Sequence, residues 1–178
     1  MLCAFQTFSP DAVLDDLRAA VLAAPADDRP RLDFARRLEQ IGETDWAALV
    51  RHQLRRPTAR LSLPGSVVGV TTARVVFRRG FVDEVRFSGR DVPRLGTVFA
   101  THPVRVLSVS ETGLRVDIEF GVPRGFRHAP TAHWVVTAER RRWRWQASPR
   151  TVGCWHDRAR LAENLDGWLA EELWRVAR

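Results

Sequence analysis

The chain has 178 residues, of which 45% are hydrophobic, so it can bury a core of its own and lacks the composition of a disordered protein. Its net charge is +7, and all 28 basic side chains are arginines. The two cysteines form no Cys-x-x-Cys pair, the N-terminus lacks the features of a signal peptide, and no apolar stretch reaches membrane-spanning length, so we expect a cytoplasmic protein without a membrane partner.

The charge is distributed unevenly along the chain. Residues 1–55 carry nine acidic side chains and seven arginines, whereas residues 56–178 carry 12 acidic side chains and 21 arginines. Nine of these arginines fall within residues 124–160, against two acidic residues. This asymmetry favours an anionic partner for the C-terminal part. A solvated basic face, or one that meets an acidic protein, would give the same pattern.

Three helices are predicted in the first 56 residues. Ser9 is a suitable N-cap for the first helix, and Pro25 ends it. Apolar residues at helical spacing predict a second helix over 27–42 and a third over 44–55. Because the connections are short, the three helices are expected to pack as an antiparallel array.

The pattern changes after Pro57, where β-branched runs interrupted by proline and glycine predict short strands. These runs cover residues 59–63, 67–70 and 73–77. A strand at 81–87, a helix over 91–101 and a strand at 104–109 then form a strand–helix–strand unit. Such a unit implies a parallel strand pair.

The C-terminal third is predicted to add antiparallel strands and a final helix. The strands are expected at 114–120, 132–138 and 142–147, with a long loop over 121–131 and a helix over 157–176. The predicted fold class is therefore α+β. A short helical array (residues 1–56) is followed by a basic domain (57–178), made of a mixed β-sheet, one crossover helix and a long C-terminal helix.

A motif in the second helix carries a resemblance. Residues 27–32 read Asp-Asp-Arg-Pro-Arg-Leu, and the pattern continues through Phe34-Ala35, Leu38-Glu39 and Gly42-Glu43. This resembles the planctomycete repeat-companion domain family, whose pattern usually reads Asp-Asp-x-Pro-Arg-Leu-x-Tyr-Ala-Asp-Trp-Leu-Glu-x-x-Gly-Asp. Segments 48–53 and 79–104 extend the resemblance, which covers residues 13–110.

One departure from the family pattern concerns packing. Arg36 and Arg37 stand where the family tends to have Asp-Trp, so the second helix loses an aromatic anchor. The family has no established activity. The resemblance therefore implies a protein-interaction context and no catalytic residues.

Arginines and tryptophans are concentrated near residue 143. The run Arg140-Arg141-Arg142-Trp143-Arg144-Trp145 could stack on bases and pair with phosphates if its side chains are exposed. Alternatively, Trp143 and Trp145 belong to the core and the arginine face is solvated. The candidate nucleic-acid-binding residues are Arg124, Arg127, Arg140, Arg141, Arg142 and Arg144.

One further group of residues could form a chemical site. His128, His133, Cys154 and His156 are metal-capable, but their spacing fits no familiar zinc pattern. Nucleophile, phosphate-binding and dinucleotide motifs do not occur in the sequence. We therefore predict no catalytic residue, no metal, no cofactor and no small-molecule substrate.

Partner binding is the remaining interpretation. Trp174 and Trp46 are candidate anchors for a protein partner, although Trp46 also fits the apolar stripe of the third helix. We expect a non-enzymatic binding or adaptor module, an accessory subunit of a larger bacterial assembly that acts through protein–protein contacts. The alternative is an arginine-rich nucleic-acid-binding accessory protein that contacts the phosphate backbone.

Overall fold

The computed structural model confirms the α+β fold class. It describes residues 11–70, 72–88, 95–110, 113–121, 133–142, 145–146, 150–155 and 158–174. Within these residues the chain forms five α-helices, one short 3-10 helix and a mixed sheet of eight strands.

The helical array consists of α1 (Ala12–Ala23), α2 (Arg29–Gln40) and α3 (Thr44–Arg55). The predicted N-cap of α1, Ser9, is replaced by Asp11, whose carboxylate accepts the N–H of Leu14 at 3.1 Å. Asp11 also pairs with Arg37 of α2 at 2.7 Å. A carboxylate can cap the helix and neutralise the guanidinium at once, which explains the shifted start.

A closely packed aromatic core joins the helices to the sheet. Phe34 of α2 contacts Trp46 of α3 edge-on, with ring centroids 5.2 Å apart. The ring of Phe81 lies 5.0 Å from that of Phe34 and is fully buried. Because Phe81 belongs to the first residues of a strand, the helical core is completed by the sheet and not by the helices alone.

The sheet follows the chain closely in its strand order. Its strands are β1 (Leu61–Pro64), β2 (Ala73–Arg78), β3 (Phe81–Phe87), β4 (Val106–Val109), β5 (Leu114–Gly121), β6 (His133–Arg142), β7 (Trp145–Gln146) and β8 (Arg150–Trp155). Strands β1 to β6 pair in this order, and both β7 and β8 pair with β6. Only β3 and β4 are parallel among these pairs, as the strand–helix–strand unit predicted.

Two strand predictions are wrong. Residues Gly65–Val68 form a 3-10 helix where a strand was expected at 67–70. The chain has to reverse here so that β1 can pair antiparallel with β2, and the N–H of Val70 closes the turn on the carbonyl of Gly65 at 2.9 Å. At the C-terminal end, β6 continues to Arg142 and turns back as the two-residue β7, and β8 was not anticipated.

Two helices cover one face of the sheet. The crossover helix α4 (Gly96–Thr101) connects β3 to β4, and the part predicted at 91–94 lies outside the described residues. Helix α5 (Arg158–Trp174) packs beside α4. Apolar residues of both helices share one core with the sheet, including Phe99 and Leu165. In the described part of the chain, no helix is long and apolar enough to cross a membrane.

The opposite face of the sheet is polar and open. One row of cross-strand neighbours runs Arg74, Arg86, Ser108, Arg115 and Glu139 across β2 to β6. The described side chains of this row are exposed or half-buried. The sheet therefore has one buried apolar face and one solvent-exposed polar face, as the alternation of residues 114–120 predicted.

The β2–β3 turn fixes the helical array on the sheet. Gly80 has a φ of +82°, and a Cβ atom there would lie 2.3 Å from Val50 Cγ2 of α3. Trp46 Nε1 donates to the Gly80 carbonyl and Gln53 Oε1 accepts the Gly80 N–H, each at 2.8 Å. Side chains of α3 thus provide hydrogen-bond partners for both backbone groups of this turn glycine.

Candidate binding cleft

A cleft of about 820 Å³ lies where the α1–α2 loop meets β3, β4 and β5. Residues 23–27 form one wall, and Arg31 of α2 and the β2–β3 turn form another. Among the described residues, the charged lining consists of six arginines and five carboxylates. These residues are Arg31, Arg60, Arg78, Arg79, Arg105, Arg115, Asp27, Asp83, Glu84, Asp117 and Glu119. A cleft of this kind suits a charged ligand better than an apolar one.

Arg79 holds the α1–α2 loop against the sheet. Its backbone is left-handed, with a φ of 54°, which is uncommon for a residue other than glycine. From this position, its Nη1 donates to the carbonyl of Ala26 at 3.1 Å. Its Nη2 lies 3.0 Å from Asp28 Oδ1, close enough for an ion pair although the angle is not that of a hydrogen bond. The wall of the cleft is therefore fixed by an arginine of the sheet.

Arg31 lies against the aromatic core at the side of the cleft. Its side chain is buried, with the residue 2% exposed, and its guanidinium carbon lies 5.5 Å from the centroid of the Phe81 ring. Nη1 donates to the carbonyl of Asp27 at 2.9 Å, while Nε has no hydrogen-bond partner. The pKa of Arg31 is lowered to about 10, mainly by burial and secondly by the positive charge of Arg79. The group therefore remains protonated at neutral pH.

Two other arginines of the cleft are neutralised by carboxylates of the sheet. Arg105 forms an ion pair with Asp83, and its backbone N–H donates to the Asp83 carbonyl at 2.8 Å. This hydrogen-bonded pair raises the pKa of Arg105. Arg115 pairs with Asp117, two residues along the same strand, at 2.7 Å. Positive and negative charge therefore alternate along this wall.

Glu84 connects the cleft to the open face of the sheet. It accepts two hydrogen bonds of 2.9 Å from Arg86 and one of 2.8 Å from Ser108 of β4. Burial of Glu84 raises its pKa, but the hydrogen bonds from Arg86 and Ser108 outweigh this effect and the net shift is downward. Glu84 is therefore an ionised carboxylate that holds Arg86 and Ser108 in place, and it is not available as a general acid or base.

The predicted nucleic-acid-binding residues are only partly covered by the structure. Arg124, Arg127 and Arg144 lie outside the described residues. Arg140, Arg141 and Arg142 form the last three positions of β6, opposite Leu114, Gln146 and Trp145 respectively, and their side chains are not described. Their role stays a prediction.

The two tryptophans predicted to anchor a partner have different outcomes. Trp46 is 4% exposed, and its ring packs on Phe34 while its indole N–H bonds to Gly80. Its ring and its N–H are both engaged inside the fold and it does not line the cleft, so the suggested anchor role is wrong for Trp46, whereas the prediction that it belongs to the apolar stripe of the third helix is confirmed. Trp174 is the last residue of α5, and its side chain lies outside the described part.

The metal-capable residues likewise lie mostly beyond the described side chains. His133 begins β6 and Cys154 lies in β8, whereas His128 and His156 are outside the described residues. Within the part of the chain that is described, no three histidine, cysteine or carboxylate side chains are placed to share a metal ion.

The cleft was not predicted from the sequence. Its arginines are spread from Arg31 to Arg115 and come together only through the strand order and the α1–α2 loop. One signal was present: Arg31 belongs to the Asp-Asp-x-Pro-Arg-Leu motif, and the motif marks the helix that borders the cleft.

Comparison with known proteins adds no relative to this description. No family model matches the chain, and no curated protein or solved structure shows detectable similarity to it.

Proposed function

We propose that the chain is a non-enzymatic binding module, an accessory or adaptor subunit, that docks a charged segment of a protein partner in the cleft. The observation that supports this proposal most directly is the mixed lining, which contains six arginines and five carboxylates. A polypeptide can present both signs of charge at this spacing. A phosphate backbone would bring its negative charge against Asp27, Asp117 and Glu119.

Three carboxylates of the cleft are held in ion pairs, which favours binding over catalysis. Asp83, Glu84 and Asp117 are each held by an arginine. General acid–base chemistry needs a carboxyl group with a raised pKa or a free histidine at the reacting position, and an ion-paired carboxylate supplies neither. We further propose that the module acts in the cytoplasm, in agreement with the cysteine usage of the sequence.

The proposal is tested by affinity capture from the native host with the full chain, before and after nuclease treatment. Arg78→Glu changes a cleft residue, while Arg74→Glu makes the same change four positions earlier on β2, outside the cleft. We expect a nuclease-resistant protein partner that Arg78→Glu loses and Arg74→Glu retains. Capture that disappears with nuclease would contradict the proposal and favour nucleic-acid binding through Arg140 to Arg144.

A further inference from the structure

Arg31 is a buried cation whose charge the surrounding protein does not fully compensate. It makes one hydrogen bond, to the carbonyl of Asp27, and one ring contact, to Phe81. Among the described residues, no carboxylate lies within ion-pairing distance of it, and its Nε has no partner. A buried charge of this kind is costly unless a counter-ion is present.

The neighbouring acids do not supply that counter-ion because each is engaged elsewhere. Asp28 is paired with Arg79, and Asp83 is paired with Arg105. Arg31 therefore has no ion-pair partner of its own among the described residues, although Asp28 and Asp83 oppose its charge from a greater distance. Burial is the main cause of the lowered pKa of Arg31; the like charges of Arg79 and Arg105 add to it, and the opposite charges of Asp28 and Asp83 offset part of it.

Arg31 is buried but borders the cleft, so the cleft side is the one from which a ligand would approach it. Arg31, Arg79 and Arg105 all line the cleft, from α2, the β2–β3 turn and the residue before β4. An oxyanion that enters at this end would meet Arg31, which has no ion-pair partner among the described residues, beside Arg79 and Arg105, which are already paired with carboxylates. A carboxylate has the planar two-oxygen geometry that a guanidinium group binds best.

We infer that the cleft is a carboxylate-binding site built on Arg31, and that the docked partner segment presents an acidic side chain to it. This inference rests on the proposed function and adds the chemistry of the ligand. The acidic group occupies the end of the cleft near Arg31, Arg79 and Arg105. The rest of the segment lies along Arg115, Asp117 and Glu119 of β5.

The experiment uses the full chain with a tetraglutamate peptide as the probe and a tetraglutamine peptide as its neutral control. The NMR signal of the Arg31 Nε–H group is followed during titration at fixed ionic strength, because a new acceptor shifts it directly. Arg18 is a second buried arginine, which does not line the cleft, and its Nε–H signal serves as the internal reference. We expect tetraglutamate to shift the Arg31 signal and leave the Arg18 signal in place, and we expect no shift with tetraglutamine.

A variant pair provides a second readout. Arg31→Met removes the charge and keeps most of the volume, and Arg18→Met makes the same change away from the cleft. We expect Arg31→Met to weaken tetraglutamate binding about tenfold or more, with little change for Arg18→Met. If Arg31→Met does not fold, the wild-type titration decides alone.

Three results would overturn the carboxylate site. One is an unmoved Arg31 signal at saturating tetraglutamate, and another is equal affinity in the two methionine variants. The third is a shift of the Arg31 signal by inorganic phosphate at lower concentration than by tetraglutamate, which would make the site a phosphate site. Nuclease-resistant capture that Arg78→Glu abolishes would still support the proposed function in each case, so the two failures are distinguishable.

Discussion

Gly80, in the β2–β3 turn, is the residue that allows α3 to pack closely on the sheet. Its left-handed backbone and its missing side chain are both required, because Val50 of α3 lies where a Cβ atom would be. Trp46 and Gln53 then bond to its carbonyl and its N–H. The turn therefore determines how closely the helical array approaches the sheet.

We expect Gly80→Ala to destabilise the protein by about 3 kcal/mol or more, through strained backbone and steric overlap with Val50. Gly42 provides the matched control, since its φ is +88° but nothing lies within 4 Å of the position of a Cβ atom. Gly42→Ala is expected to cost about 1 kcal/mol from backbone strain alone. Urea denaturation measures both, and equal losses would show that the contact with Val50 is unimportant.

Single elements differ in how well the sequence predicted them, and the difference has a physical cause. Helices α1 to α3 were predicted because the apolar spacing of a helix is local to its own residues. The 3-10 helix at Gly65–Val68 and strand β8 were not, because the first depends on a chain reversal and the second on pairing with β6. Neither a chain reversal nor the choice of a pairing strand is recorded in the apolar pattern of the segment itself.

Glu84, on the open face of the sheet, should make the free energy of unfolding of the protein depend on pH. Because the pKa of Glu84 is lowered in the folded protein, its contribution is fully present above the ordinary pKa that the group has in the unfolded chain. It is lost as the pH falls through the lower, folded pKa. We expect Glu84→Gln to be less stable than wild type at pH 7, with the difference shrinking at pH 3.

Urea midpoints at the two pH values test this expectation. Glu39→Gln is a useful comparison, since Glu39 also has a lowered pKa from its bond to Arg51 but lies exposed on α2. Its substitution is expected to have a smaller effect. A stability difference for Glu84→Gln that stays constant from pH 7 to pH 3 would contradict the assigned hydrogen bonds.

At the scale of the whole molecule, the predicted boundary at residue 56 does not separate two independent cores. Phe81 of β3 is fully buried against Phe34 and near Trp46, whose rings belong to the helical array. Removing a buried phenylalanine costs about 3–5 kcal/mol, which is a large part of the stability of an ordinary domain. The array therefore depends on the sheet.

A fragment of residues 1–56 is accordingly expected to show no cooperative thermal transition by circular dichroism. The full chain with Phe81→Ala is the companion variant and is expected to lose about 3–5 kcal/mol. Cooperative melting of the fragment at a temperature near that of the full chain would mean that the array folds without Phe81.

The uneven charge gave a prediction about the whole molecule, an anionic partner for the C-terminal part, and it stays a prediction. The excess of arginine after residue 56 indicated an anionic partner, and the sequence drew attention to residues 124–144. The described cleft instead combines Arg31 of the helical array with Arg79 and Arg105 of the sheet. Convergence of this kind depends on topology, so spacing along the chain could not reveal it.

The proposed function requires that a protein partner occupies the cleft between the α1–α2 loop and the sheet. Hydrogen–deuterium exchange of the full chain, with and without the captured partner, tests it most directly. We predict that slowed exchange concentrates in residues 23–28 and 78–84, which border the cleft. Protection confined to α5 or to residues 121–144, with the cleft segments unchanged, would contradict the claim.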